Sequence, residues 1–250
     1  NGILPNVSAM LNYMKGLLRG DLGPSYRTGN SVMSEIAARF PPTLLLATLD
    51  IVLTAVMAIP LGVLVAVKKC STLDNVSTIL ALVFTAMPSF WLALLLIIAF
   101  SVKLPWLPFY GRGGFDSLIL PGLTPGLGVG ANISRLTRTS MLEILGQDYI
   151  RTALGKGVKR SRVIWVHALS NAGIPIVTII GLQFGVLLGG QVVTETIFSW
   201  PGIGRMIINA LTTRDLQIIQ GGILVLAFTF AFINLITDLI YALLDPRIRY

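Results

Sequence analysis

The residue types that most often perform chemistry in proteins are scarce in this 250-residue sequence. It has one cysteine, Cys70, and one histidine, His167. No internal disulfide or multi-thiolate metal site can form, and no Ser or Cys is spaced to make His167 a catalytic base. The HExxH pattern of zinc hydrolases, the GxGD pattern of aspartyl proteases and the phosphate-binding P-loop are also missing. We therefore disfavour an enzyme, and we expect Cys70 and His167 to be structural.

The composition is that of a membrane protein. Hydrophobic residues make up 54% of the chain and charged residues only 12%, and the mean hydropathy is +0.80. A net charge of +8 would suggest nucleic-acid binding in a soluble protein. Here the basic residues are distributed unequally between the two sides of the predicted membrane spans, as described below, which accounts for the positive charge. Nucleic acid is therefore not an expected partner.

Five stretches are long and apolar enough to be read as membrane spans, since a helix of roughly 20 apolar residues crosses the hydrocarbon layer. The third is short and rich in Gly and Pro, which predicts a bent helix packed closely against its neighbours. The spans are predicted at residues 43–67, 76–102, 118–134, 168–194 and 216–244.

The distribution of Lys and Arg predicts the orientation of these spans. Alternating spans place loop 68–75, residues 135–167 and the C-terminal residues on one face, with eleven Lys and Arg against eight opposite. The richer face is expected to be cytoplasmic. Residues 1–41 would then be extracytoplasmic, ahead of a membrane domain at 42–250, and we expect a first membrane helix to precede residue 1.

Three polar residues at membrane depth are candidates for a translocation path. Asp50 lies about 12 Å along its helix from the outer end of the span, by the rise per residue. An intramembrane carboxylate is either a polar wall for a cationic cargo or a hydrogen-bonding partner of a neighbouring helix or Thr hydroxyl. Asn132 and Gln183 are the other candidates, because each needs an internal hydrogen bond or a wet cavity.

The longest polar stretch separates the third and fourth spans. Ser140 and Glu143 have the spacing of a capping box, which predicts that a helix begins near Met141. Apolar residues then recur at helical spacing, at Leu142, Leu145, Tyr149 and Ala153.

Gly157 suits a left-handed C-terminal cap that ends this amphipathic helix. A second helix is expected to open at Ser161 and return to the membrane. Residues 139–167 would thus form two helices joined by a glycine elbow, shaped to fit a groove in a partner. The alternative is a basic loop that lies on anionic lipid.

This stretch also carries a resemblance. The segments YIRTALGKG (149–157) and HALSNA (167–172) resemble the cytoplasmic EAA loop of ATP-binding-cassette (ABC) importer permeases of the peptide/nickel branch. Arg151-Thr152-Ala153 stands at the Glu-Ala-Ala position, and Leu154-Gly155 replaces a commoner Arg-Ala. Further similar segments are GDLGPSYRTG (20–29), RFPPTLLL (39–46), PSFWLALLL (88–96), FSWPGIGR (198–205) and NLITDLIYALLDPRIR (234–249).

The resemblance implies an all-α type I importer transmembrane domain in a bacterial or archaeal inner membrane, with five visible helices of an expected six. It implies a second homologous permease as heterodimer partner, an external solute-binding protein and two cytoplasmic ATPase subunits. Those subunits would hold the ATP and Mg; this chain is expected to bind no cofactor or metal and to hydrolyse nothing. The ATPase-coupling residues would be Asp148, Tyr149, Arg151, Thr152, Ala153, Lys156 and Gly157.

The sequence defines the transported substrate less well than it defines the class of protein. Members of this branch carry short peptides, nickel or its chelates, and glutathione, and we favour peptides on the breadth of the family. Residues 199–217 predict a short interfacial helix outside the membrane, with Trp200, Pro201 and Arg205 as binding-protein contacts. An ion channel is the remaining rival, but no filter of carbonyls or charged rings is visible.

Overall fold

The structure is a computed structural model that describes residues 16, 20–110, 114 and 116–244, and this part of the chain is almost wholly helical. Extended structure within it is limited to an isolated bridge between Pro24 and Ser31. Two π-helical turns, Ile98–Lys103 and Val163–Ala168, continue α3 and precede α7. The α-helices are α1 (Val32–Val67), α2 (Thr72–Ala86), α3 (Ser89–Ile97), α4 (Asp116–Leu145), α5 (Asp148–Gly155), α6 (Arg160–Arg162), α7 (Leu169–Gly190), α8 (Val192–Ile197), α9 (Ile203–Thr213) and α10 (Leu216–Leu244).

The first long helix, α1, begins well before the predicted span 43–67. Its 36 residues correspond to about 54 Å, more than the roughly 30 Å of hydrocarbon. The extra turns contain the charged residues Glu35 and Arg39. These turns therefore lie outside the apolar stretch, but they are still helical. Much of the predicted segment 1–41 lies outside the described residues.

The predicted second span, 76–102, is not one helix. Helix α2 and the run from Ser89 to Lys103 meet at 108°. The cause is Pro88, because Met87 before it takes an extended conformation (ψ 130°) that a helix does not allow. With 15 residues, α2 is only about 22 Å long, so only the pair together is long enough to be a span.

Helix α4 runs without a break from Asp116 to Leu145, so the predicted helix start near Met141 is wrong. Ser140 is buried inside α4 and caps nothing. Three other helical segments, Val32–Val67, Arg160–Gly189 and Leu216–Leu243, are long and apolar enough to cross a membrane. Helix α4 contains the predicted span 118–134 and packs along α1, but it is less apolar than these three segments.

Close packing depends on glycine where α4 and α10 approach their neighbours. A Cβ atom at Gly62 of α1 would lie 2.6 Å from the Ser134 carbonyl oxygen of α4. Gly185 of α7 faces Asn234 and Phe230 of α10 in the same way. The outer face of α10 is left apolar and exposed, which suits lipid or another membrane subunit; it includes Phe228, Phe232, Leu235, Leu239 and Leu243.

Candidate functional site

The predicted docking motif forms α5, a short amphipathic helix held against the ends of longer helices. Ile150 is buried in an apolar cluster with Val63 and Ala66 of α1, Met141 of α4 and Val163. Because one face of α5 is anchored in this way, the opposite face is presented to the exterior.

The exposed face of α5 contains most of the predicted coupling residues. Tyr149 and Leu154 are each 44% exposed. Asp148 and Arg151 form a loose ion pair of 3.8 Å, with both side chains largely in solvent. Ala153 differs, because it is half-buried and packs against the apolar cluster. The exposed members are Asp148, Tyr149, Arg151, Thr152, Lys156 and Gly157.

The glycine elbow is confirmed. Gly157 has φ +81°, a left-handed conformation that glycine adopts without steric cost. Its N–H donates to the Leu154 carbonyl at 3.0 Å, and the Val158 N–H donates to the Ala153 carbonyl at 3.2 Å, so the last carbonyls of α5 are satisfied. The next helical turn begins at Arg160, one residue before the predicted Ser161.

An ion pair that the sequence analysis did not find braces the same end of the molecule. The Arg138 guanidinium of α4 donates two hydrogen bonds to the Asp74 carboxylate of α2, at 2.7 and 2.8 Å. Asp74 also accepts from the Cys70 N–H and completes a Ser71–Asp74 capping pattern at the start of α2. That pattern is visible in the sequence, but the distant partner Arg138 is not.

The three residues predicted for a translocation path do not form one group. Asp50 is fully buried, and it accepts hydrogen bonds from Gln191 Nε2 and Thr54 Oγ1, both at 3.3 Å. Asn132 accepts from Arg135 on its own helix. Gln183 is half-buried on α7. Within the described part of the chain, no hydrogen bond joins any two of the three.

At the opposite end, a buried carboxylate fastens α9 to α1. Glu195 of α8 accepts from Thr43 Oγ1 of α1 at 2.6 Å and from the Arg205 N–H at 3.1 Å. Thr43 in turn accepts from the Ile203 N–H at 2.9 Å. The free N–H groups at the start of α9 are thus satisfied by side chains from two other helices. A side chain at Gly202 would overlap the Glu195 carboxylate.

Glu195 follows the apolar segment that ends at Gly189. Burial raises the pKa of its carboxyl, while the hydrogen bonds from Thr43 and from the N–H groups of Arg205 and Gly204 oppose that rise. The network therefore partly offsets the cost of burying this acid.

Trp200 belongs to the same network and does not lie on a surface. It is 1% exposed, and its indole N–H donates to the Pro42 carbonyl of α1 at 2.9 Å. Pro201 and Arg205, the other two predicted contact residues, are half-buried, and the Arg205 guanidinium donates to the Ser199 carbonyl. Segment 199–217 does contain the predicted short helix, α9.

A second carboxylate anchors the loop that precedes α1. Asp215 accepts from Ser25 Oγ and from the N–H groups of Tyr26 and Ile218. Burial acts to raise the pKa of Asp215, but the hydrogen bonds from Ser25 and from the backbone outweigh it and lower that pKa. Among the residues that the structure describes, no cluster of His, Cys, Asp and Glu could hold a metal ion.

Similarity to known transport proteins extends over nearly the whole chain. Residues 58–250 match the family described as "Binding-protein-dependent transport system inner membrane component". The dipeptide transport system permease protein DppB of Alkalihalophilus pseudofirmus is 44% identical, over 95% of this chain and 80% of its own. The glutathione transport system permease protein GsiC of Escherichia coli O6:H1 is 42% identical, over 96% and 78%.

Solved structures support the fold independently of close sequence similarity. An inward-facing structure of the MetNI methionine ABC transporter matches with a TM-score of 0.70 at 15% identity, over 85% of this chain and 97% of that one. An amino acid ABC transporter matches with a TM-score of 0.59 over 98% of this chain. At these identities the likeness concerns the fold alone.

The Glu195 network predicts the effect of removing its carboxylate. Glu195→Ala would leave the Arg205 and Gly204 N–H groups without their acceptor and would remove the short hydrogen bond of the Thr43 hydroxyl. We expect a cost of about 1–3 kcal/mol. We expect trypsin to cleave after the exposed Arg214, at the end of α9, at least about fivefold faster than in the parent protein. Glu35→Ala is the matched control, because the side-chain partners of Glu35 among the described residues are the exposed Thr28 and Asn30. Equal cleavage of the parent and Glu195→Ala would contradict a fastening role.

Proposed function

Since the chain belongs to the family of binding-protein-dependent transport system inner membrane components, we propose that it forms half of the path by which short peptides cross the membrane in an ATP-driven importer. The resemblance seen in the sequence is confirmed at the level of ABC importer permease, as is the multi-pass inner-membrane location. One observation carries the choice of cargo: relatives at 42–44% identity are named for dipeptide and glutathione, which both contain peptide bonds.

Uptake by the complete transporter tests this proposal. The complete transporter would be reconstituted in liposomes, with this chain, the second permease, the ATPase subunits and the binding protein. ATP would be supplied on the side of the membrane where the ATPase subunits bind. We expect ATP-dependent accumulation of labelled dipeptide that stops when the binding protein is omitted. Nickel chelates supplied in excess should not compete. Ion flux without ATP would indicate a channel, and uptake of nickel chelate in place of dipeptide would overturn the choice of cargo.

The proposed contact with the ATPase is the exposed face of α5. This helix is anchored by Ile150 and ends at the Gly157 elbow, so its outer residues stand clear of the rest of the described chain. An exposed tyrosine and leucine, Tyr149 and Leu154, flank the Asp148–Arg151 pair. Tyrosine and arginine are enriched among the residues that dominate binding between proteins.

Tyr149→Ala is therefore expected to weaken association with the ATPase subunits about tenfold, as for a moderate interface hot spot. The measurement is the affinity of purified ATPase for the permease pair in nanodiscs, together with ATP hydrolysis stimulated by loaded binding protein. Tyr110→Ala provides the control, because Tyr110 is also exposed but follows α3 at a distance from α5 in the chain. Unchanged affinity in Tyr149→Ala would exclude α5 as the principal contact.

On the outer side we propose that α9 and its flanking residues receive the binding protein. Pro201 and Arg205 would stand at the edge of that surface. Trp200 would support it from within, since its indole is occupied by the Pro42 carbonyl. Helix α9 suits this role because one face is buried on α1 and α10, while Leu211 and Arg214 are exposed.

For Asp50 we propose the hydrogen-bonding role and not a wall for cationic cargo. Its oxygens are engaged by Gln191 and Thr54, and the side chain is sealed from solvent. A Cβ atom at Gly126 would lie 2.8 Å from Asp50 Oδ1, so α4 closes the remaining side.

Asp50→Asn is accordingly expected to change uptake of cationic and neutral dipeptides by the same factor, because an amide oxygen still accepts a hydrogen bond. Asp50→Leu should lower both further, since it leaves Gln191 without its partner at a cost of about 1–3 kcal/mol. Uptake rates for a lysine-containing and an alanine-only dipeptide provide the measurement. Selective loss of the cationic cargo in Asp50→Asn would restore the wall hypothesis.

A further inference from the structure

A pocket of about 430 Å³ lies beside α5 and shares Leu154 with the face proposed to contact the ATPase. Its size falls within the roughly 300–1,000 Å³ that is usual for sites of small ligands. It opens between the end of α1, the end of α4, α5 and the start of the helical run that leads into α7. Its walls are mainly apolar and include Val67, Leu142, Leu145, Ile150, Leu154 and Val163.

The polar part of this pocket is cationic. Lys69 and Arg160 are its only charged lining residues, and both are exposed. Within the described part of the chain, neither side chain takes part in an ion pair or hydrogen bond. Lys69 lies in the field of Asp74, but that carboxylate is already paired with Arg138. The two cations therefore remain available to an external anion.

The ends of two apolar segments place the pocket at the boundary of the membrane. Val67 is the last residue of the segment Val32–Val67, and Arg160 is the first residue of the segment Arg160–Gly189. Trp165, one turn into the second segment, is 43% exposed, and tryptophan is enriched where hydrocarbon meets water. An occupant of the pocket would thus have its polar end at headgroup level.

We propose that this pocket binds an anionic phospholipid, with the phosphate at Lys69 and Arg160 and an acyl chain along the apolar wall that includes Ile150 and Leu154. Basic pockets between membrane helices on the cytoplasmic side are suited to such headgroups. The charge of the lining favours this occupant over a basic segment of protein, which Lys69 and Arg160 would repel. The apolar wall favours a lipid over a free anion, which would leave that wall unfilled.

The lipid would touch the helix that is proposed to dock on the ATPase. Ile150 and Leu154 of α5 form part of the pocket, so an acyl chain beside them would limit how far α5 can tilt against α1 and α4. Binding itself requires only the membrane placement of the chain. The effect on coupling rests on the proposed function as an ATPase-driven permease.

The experiment uses the complete transporter in nanodiscs of phosphatidylcholine, with and without phosphatidylglycerol. Lipids that stay bound after transfer to detergent are counted by native mass spectrometry, and affinity is obtained by titrating phosphatidylglycerol. The pocket variant is Lys69→Gln with Arg160→Gln. The matched control is Lys68→Gln with Arg162→Gln, which removes two neighbouring cations that do not line the pocket.

We expect the parent and the control to retain phosphatidylglycerol and the pocket variant to bind it about thirtyfold more weakly, from about 1 kcal/mol for each cation. Stimulation of ATP hydrolysis by phosphatidylglycerol should be lost in the same variant. Equal loss in the control would indicate diffuse surface attraction and overturn the site. Inorganic phosphate that displaces the lipid at equal concentration would reduce the site to a free-anion site, which also overturns the proposal.

The two proposals fail in different ways. If phosphatidylglycerol binds as expected but the ATPase does not assemble on α5, the lipid site stands and the coupling proposal falls. If the ATPase assembles and peptide is transported while the pocket variant binds phosphatidylglycerol as tightly as the parent, only the lipid site is wrong.

Discussion

The end of the molecule that contains α8 and α9, the outer end in the proposed orientation, is held together by hydrogen bonds between polar groups that are buried away from water. The Glu195 carboxylate meets this need by accepting from Thr43 of α1 and from the backbone at the start of α9. In the same region, the Trp200 indole N–H donates to the Pro42 carbonyl, and Gln191 donates to Asp50. The bonds of Thr43, Pro42 and Asp50 belong to α1, so that helix helps to position α8, α9 and the residue that follows α7. Left unpaired, each of these buried groups would cost about 1–3 kcal/mol.

The cytoplasmic end, in the orientation proposed here, is held by different forces. Helix α5 rests on apolar contacts through Ile150, whereas α2 is braced on α4 by the two hydrogen bonds of the Arg138–Asp74 pair. Apolar contacts are not directional, while a hydrogen bond fixes direction as well as distance. Helix α5 therefore has more freedom to shift than the helices that hydrogen bonds hold in place. That difference suits a surface that must respond to a moving partner.

The sequence predicts the class, the α5 motif and the Gly157 elbow because each depends on local pattern. It fails where a local pattern has two meanings. Ser140 and Glu143 fit a capping box, but α4 continues through them, since burial of Ser140 and Met141 against neighbours outweighs the capping preference. A hydropathy profile also does not reveal the bend at Pro88, because the residues on both sides of it are apolar. The sequence does not reveal the hydrogen bond of Glu195, because its partner Thr43 is 152 positions away in the chain. The prediction that Trp200 lies on a surface is wrong because tryptophan occurs both at interfaces and in cores.

The long helix α1 contributes contacts at both ends of the molecule. Its outer half carries Pro42, Thr43 and Asp50, which are tied to α8, α9 and Gln191, while Val63 and Ala66 at its inner end pack in the cluster that holds α5. A displacement of α5 must therefore either carry α1 as a rigid rod or bend it. Pro60 lies between the two groups of contacts and removes a hydrogen bond from the helix. A bend at Pro60, between the directional outer bonds and the apolar inner contacts, would let the inner half follow α5 while the outer network stays intact.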